Sequence, residues 1–207
     1  MLIMATAALL ALSTVVPAHG AAGADYAGPP ISVSVVTADG SGCRSVIVTV
    51  AEDHESFTTT FGDYIAKVGG GTGRVVDRAS CRLELRIVPP KSFTYGIARA
   101  TYNGYLHLAR GATAAHKANL AFQGQIGIVN VERKFSGPQS DEWEVEHTAT
   151  PGGIVYVPCG ELRNLTINAE LRANLGSSDP AEWSMISGDS VDAPAHAEYR
   201  LAFKPCR

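Results

Sequence analysis

The chain has 207 residues, a formal net charge of −3 and no run rich in lysine or arginine. Binding the phosphates of a nucleic acid requires a basic patch, so the composition argues against a nucleic-acid partner. The length suits one domain of ordinary size with a substantial core.

The first 24 residues have the pattern of a secretory signal peptide. A run of small and apolar residues, broken only by three hydroxyl residues, covers 5–16, and small residues follow Pro17 up to Ala24. This matches an apolar segment ahead of a cleavage site, and it is too short to span a bilayer, which takes roughly 20 apolar residues. We therefore expect a secreted, extracellular protein without a membrane span, whose residues 25–207 form a single domain.

Four cysteines follow the signal segment: Cys43, Cys81, Cys159 and Cys206. An even number of cysteines in an exported chain predicts two disulfides. Three pairings are possible, and we favour the sequential one, Cys43–Cys81 with Cys159–Cys206. No two cysteines lie close enough for a zinc knuckle, which argues against a metal site.

In chain order, the remainder reads as short strands separated by turns rich in glycine and proline. Apolar and polar side chains alternate, or β-branched and aromatic residues cluster, over 45–51, 57–61, 82–87, 164–172 and 198–203. Glycine-rich residues 69–73 predict a turn before the next strand. Residues 111–121 are compatible with a turn of helix or with a loop. This pattern predicts an all-β fold, a single antiparallel β-sandwich that is jelly-roll-like and carries two disulfides.

Several segments together carry a family resemblance. They are Gly42-Cys43, 57–68, 81–85, 93–97, 102–108, 122–124, 158–160, 164–168 and the terminal Tyr199, Leu201, Phe203 and Cys206. In order and cysteine placement the chain resembles the secreted bacterial and fungal proteins catalogued as domain-of-unknown-function family 4360. The resemblance covers essentially all of the mature chain. It implies export, two disulfides and a β-rich fold, and it assigns no activity.

Glu142, Glu144 and Glu146 share one face if their segment is extended, with successive carboxylates roughly 6.5–7 Å apart. Clustered carboxylate oxygens suit calcium, and the spacing also suits the carboxylate pair of an inverting glycosidase. The interpretation that we favour is a solvated face with Trp143 and Val145 packed inward. We accordingly expect no cofactor, with calcium as the alternative.

Tyr102 and Tyr105 flank Gly104, and a glycine inside a strand marks a bulge or a close backbone approach. A bulge would bring both rings to one side, where with Tyr95 they would form a platform for stacking sugars. Trp143 is a further candidate ligand-binding aromatic. The alternative is ordinary aromatic packing in the core.

Three functions remain open. The favoured one is a non-catalytic binding or surface-associated protein that recognises extracellular or cell-wall polysaccharide. The second is a secreted inhibitor or protein-interaction module with a rigid loop around Pro158-Cys159-Gly160. The third is an extracellular hydrolase. The chain has neither a Gly-x-Ser-x-Gly nor a His-Glu-x-x-His motif, and its cysteines are assigned to disulfides, which favours binding over catalysis.

Overall fold

The computed structural model describes residues 28–125, 127–188 and 196–207, which form twelve strands and a 3₁₀ turn at Pro151–Gly153. The strands are β1 (Ser32–Asp39), β2 (Ser45–Val50), β3 (Ser56–Gly62), β4 (Ile65–Gly69), β5 (Val76–Val88), β6 (Phe93–Leu108), β7 (Thr113–Phe122), β8 (Val129–Ser136), β9 (Gln139–Thr148), β10 (Leu165–Asn174), β11 (Trp183–Ser187) and β12 (His196–Pro205). The predicted signal peptide, residues 1–24, lies outside the described residues. Within them, no helix is long and apolar enough to cross a membrane.

The strands pair antiparallel in two sheets. The five-stranded sheet has the order β1-β5-β10-β7-β8, and the seven-stranded sheet has the order β2-β3-β12-β6-β11-β4 with β9 also paired to β6. Strand β6 is central, because β12 and then β11 pair with one of its edges while β9 pairs with the other. The predicted antiparallel β-sandwich is confirmed.

The alternation seen in the sequence places one face of each sheet in a shared core. In β5 the side chains of Leu83, Leu85 and Ile87 point inward and are buried. Between the sheets, the ring of Tyr95 on β6 meets Phe122 on β7 edge-on, with centroids 5.6 Å apart. Burying one such large apolar side chain stabilises the fold by about 1.5–3 kcal/mol, so this shared interior holds the two layers together.

Residues 111–121 differ from the prediction of a helical turn or loop, because most of them belong to strand β7. Ala114, His116, Ala118 and Leu120 point inward and are buried, while the residues between them face outward. Strand β7 pairs with β10 on one edge and with β8 on the other. Backbone pairing on both edges together with inward burial outweighs the modest helix propensity of alanine.

Both disulfides form in the favoured pairing. Cys43 bonds to Cys81 on β5, and Cys159 bonds to Cys206, which follows β12. All four cysteines lie within the described ranges, and none of them is free. The first bridge ties the segment before β2 to the five-stranded sheet, and the second ties the loop before β10 to the C-terminal segment.

Candidate functional site

Three of the four aromatic side chains predicted to bind a ligand lie in the core. Tyr95, Tyr102 and Trp143 are 2%, 3% and 5% exposed. The pairing of β6 with β9 runs without a register shift past Gly104, so Tyr102 and Tyr105, three residues apart, point to opposite faces. The predicted platform is therefore wrong. The rings of Tyr95, Tyr102 and Trp143 fill the space between the sheets, and Tyr105 lies on the outer face.

Gly104 marks a close backbone approach instead of a bulge. A Cβ atom at this position would lie 2.0 Å from the carbonyl oxygen of Ser187 on β11. The indole N–H of Trp143 donates to the same oxygen over 3.1 Å. The glycine thus lets the start of the 187–188 segment lie over β6, where it accepts the hydrogen bond of the buried tryptophan.

The three glutamates lie where the sequence predicted them. Glu142, Glu144 and Glu146 are exposed on the outer face of β9, and Trp143 and Val145 point inward. Glu146 lies 3.7 Å from Arg99 and also accepts a hydrogen bond from Thr148. Within the described ranges no three His, Cys, Asp or Glu side chains are arranged to hold a metal ion.

Tyr105 lies beside a polar and aromatic cluster that sequence reasoning did not select. Its hydroxyl is 2.7 Å from Oγ of Ser140 on β9, and that Oγ is also 3.2 Å from Nδ1 of His107. The ring of His107 in turn stacks on Trp183, with centroids 4.1 Å apart. Register explains the grouping, because β6 lies between β9 and β11 at this point and presents His107 to both.

Trp183 is held at the start of β11 by the turn that precedes it. The Asp179 carboxylate accepts a hydrogen bond from the Ala181 N–H, and the Asp179 carbonyl accepts one from the Glu182 N–H. The glycine-rich turn after β4 packs against this segment: Gly70 has φ +56°, and a Cβ there would lie 2.6 Å from Cβ of Trp183. The predicted turn at 69–73 therefore supports the backbone that carries this tryptophan.

An open cleft of about 760 Å³ adjoins Trp183, between residues 107–110, 138–140 and 181–183. Its polar side chains include Arg110, Gln139, Ser140 and Glu182. Trp183 is 41% exposed, and the ammonium of Lys67 lies 5.4 Å from its ring centroid. An aromatic surface beside a few hydrogen-bonding groups is the composition of a small-ligand site.

The sequence contained a weak signal for Trp183. Trp183 and Met185 alternate with Ser184 and Ile186 over 183–186, and the latter two are buried. The tryptophan therefore occupies the outward-facing position of a short strand. Its partner His107 comes from a distant strand, and period-two patterning within one segment does not identify such a neighbour.

The loop proposed for a protein-interaction module is exposed. Pro158, Cys159 and Gly160 are all exposed, and the bond to Cys206 anchors the loop. Leu162, two residues further on, is 62% exposed.

A family model described as "Domain of unknown function (DUF4360)" matches residues 29–206. An "Uncharacterized secreted protein" of Arthroderma benhamiae is 27% identical over 173 residues, which is 83% of this chain and 70% of the relative.

Two solved structures show a distant likeness. TmCBM61, in complex with beta-1,4-galactotriose, is 16% identical with a TM-score of 0.31 over 83% of this chain and 88% of its own. TmCBM27, a carbohydrate-binding module studied for specific mannan recognition, is 11% identical with a TM-score of 0.33 over 87% of this chain and 94% of its own. At these scores neither likeness bears on the ligand of this chain.

Proposed function

We propose that this chain, which belongs to the DUF4360 family, is a secreted protein that binds extracellular polysaccharide in the cleft beside Trp183. Its similarity to a secreted fungal relative and its two disulfides support export. The observation that carries the proposed ligand class is the 41% exposed indole at the wall of a cleft with polar side chains.

The chemistry of a sugar ring fits this arrangement. A pyranose has a face of C–H groups and a rim of hydroxyls, so it needs a flat apolar surface next to hydrogen-bond donors and acceptors. Trp183 offers such a surface, and an aromatic ring supplies a large contact area at low cost in conformational entropy. Arg110 donates hydrogen bonds, Glu182 accepts them, and Gln139 does both.

A pulldown of the purified mature protein on insoluble chitin, cellulose, peptidoglycan and β-glucan tests the proposal. We expect retention on at least one polymer and a loss of affinity of about tenfold or more for Trp183→Ala. An aromatic side chain that a bound partner covers is among the residues that contribute most to binding. Leu162→Ala is the matched control, since it removes an exposed apolar side chain that does not line the cleft. Equal retention of Trp183→Ala and the wild type would overturn the cleft as the binding site.

Soluble sugar is measured in the same tubes. Retention without release of sugar supports binding without catalysis. Release of sugar would favour the hydrolase alternative, and single replacements of Glu142, Glu144 and Glu146 by glutamine would then be the next variants.

Leu162 supports a second candidate function, the protein-interaction module. Leu162 is 62% exposed beside a disulfide-anchored loop, so its apolar side chain is accessible to a partner protein. Failure to bind any polymer, together with capture of a secreted protein that Leu162→Asp abolishes, would favour this function over the first.

A further inference from the structure

The outer face of the five-stranded sheet carries an open trough, on the opposite side of the sandwich from Trp183. It consists of two adjoining depressions of about 550 and 440 Å³, which share Lys117, Glu132 and Glu170. Strands β10, β7 and β8 contribute to both depressions, and β5 contributes to the first. The trough is therefore formed by side chains on strands instead of by loops.

Strand register arranges the trough in cross-strand rows. Asn168, Asn119 and Asn130 form one row, in which the Asn119 amide donates to the Asn130 side-chain oxygen over 2.6 Å. The last row of the trough contains Asn174. The six-residue distance from Asn168 to Asn174 along β10 corresponds to about 20 Å at the usual rise of a strand. A trough of this length suits several units of an extended polymer.

Positive charge predominates among the titratable side chains of the trough. Five are basic and three are acidic: Arg78, Arg82, Lys117, Lys134 and Arg172 against Asp39, Glu132 and Glu170. This excess of two positive charges occurs on a chain whose formal net charge is −3. Because negative charge predominates over the whole chain, the positive trough is a distinct electrostatic feature.

Ion pairs within the trough leave the excess of positive charge at the end that contains Lys134 and Arg172. Glu132 lies 3.5 Å from both Lys117 and Lys134, so one carboxylate faces two ammonium groups. Glu170 pairs with Arg78. Arg172 is exposed, and within the described part of the chain no carboxylate lies within ion-pair distance of it. Arg172 and Lys134 are thus available for an added anion.

We propose that this trough binds an extended carboxylated polysaccharide. The asparagine row supplies amide donors and acceptors for hydroxyl groups, and the guanidinium of Arg172 has the fork geometry that pairs with a carboxylate. The three carboxylates of the trough disfavour a nucleic acid, whose phosphates carry about one charge per 1.7 Å of duplex. A polymer with one carboxylate per sugar carries fewer charges per unit length than a nucleic acid, which suits a trough that contains carboxylates of its own.

The test measures binding of the intact mature protein to polygalacturonate and to the same polymer after methyl esterification, which removes the charge. We expect binding to polygalacturonate that weakens with salt and is lost on esterification. The double variant Lys134→Gln/Arg172→Gln should bind about tenfold or more weakly, since two charge-assisted contacts are removed. Arg172→Lys should bind more weakly than the wild type but more tightly than the double variant, because lysine keeps the charge and lacks the fork geometry of the guanidinium.

Arg44→Gln/Lys91→Gln is the matched control, because it removes the same charge from two exposed positions outside the trough. An equal loss of binding in this control would overturn the proposal in favour of general attraction between charges. Equal affinity for the esterified polymer, or for a DNA duplex, would also overturn it. The Trp183 cleft is tested on uncharged polymers such as cellulose, and the trough is tested by salt-sensitive binding to polygalacturonate, so failure of the one and failure of the other are distinguishable.

Discussion

His116 has an unusual environment for a histidine. It is 1% exposed and lies between the sheets, with its ring centroid 4.8 Å from that of Tyr102 and 5.0 Å from that of Trp143. Neither ring nitrogen has a hydrogen-bond partner among the described residues. Burial lowers the pKa of His116 from 6.5 to about 4, because an imidazolium in this position would lose its hydration.

This environment predicts acid sensitivity. Between about pH 6.5 and pH 4 the unfolded chain protonates this side chain while the folded protein keeps it neutral, so the free energy of unfolding falls as the pH falls. The full loss from this group is about 3 kcal/mol. Urea denaturation across this pH range should show a smaller decline for His116→Leu than for the wild type.

His147→Gln is the control, since that histidine is half-buried on β9 and away from the tyrosine and tryptophan rings that flank His116. It should retain the wild-type decline. An identical pH dependence in His116→Leu and the wild type would rule out the buried imidazole as the cause.

The roles of single residues were only partly predictable. Alternation around Trp143 correctly predicted that its neighbouring glutamates are exposed, because a strand has a fixed period of two. The same rule places Tyr102 and Tyr105 on opposite faces of β6. The prediction of a bulge at Gly104, which would have brought both rings to one face, was wrong. Trp183 and His107 lie far apart in sequence, so their stacking depends on strand order, which no local pattern encodes.

At the scale of an element, β6 depends on Gly104. A Cβ at this position would lie 2.0 Å from the Ser187 carbonyl oxygen and 2.9 Å from Cε2 of Trp143. Gly104→Ala should therefore lower the free energy of unfolding by about 1–3 kcal/mol, because the backbone or the indole must shift. Thermal or urea denaturation measures the loss.

Gly152→Ala is the matched control, because a Cβ there meets no atom within 4 Å. Its stability should remain close to that of the wild type. Equal stabilities for the two alanine variants would contradict the close approach of the 187–188 segment to β6.

The elements that the sequence predicted best are those with a strict two-residue alternation. Strands β5 and β10 bury every second side chain over their predicted segments, since one face meets the core and the other meets solvent. Strand β7 was missed, because alanine, histidine and lysine suit several conformations and its strand pattern rests on buried alanines. Its two pairing partners determine its conformation, and the sequence of β7 alone does not reveal them.

For the whole molecule, the disulfides contribute unequally. The Cys159–Cys206 bridge spans 47 residues, and the loop-closure entropy of such a bridge corresponds to about 4 kcal/mol. Cys43 and Cys81 are both buried in the core, so replacing them by serine also places two hydroxyls there. Urea denaturation should therefore show a smaller loss of stability for Cys159→Ser/Cys206→Ser than for Cys43→Ser/Cys81→Ser, and the reverse order would contradict the burial of the first bridge.

Cysteine number and strand patterning made the disulfide-linked sandwich predictable as a whole, because both are properties of the entire chain, while the pattern of the first 24 residues predicted export. The two binding surfaces were not predictable in this way. The trough requires that Asn119, Asn130 and Asn168 fall in one row, and this alignment depends on the register of three strands that are separated in sequence.

The two bridges close consecutive loops, 43–81 and 159–206, and residues 82–158 lie in neither loop. Cleavage by a protease at the exposed Gln123-Gly124 turn would therefore leave two pieces with no covalent link, held together only by core packing and by strand pairing such as that of β10 with β5 and β7. Cleavage at the exposed Gly71, inside the first loop, would leave both pieces joined through Cys43–Cys81. The effect of a single backbone cut in the extracellular medium therefore differs along the chain. After a cut among the middle strands, noncovalent contacts alone hold the two pieces together.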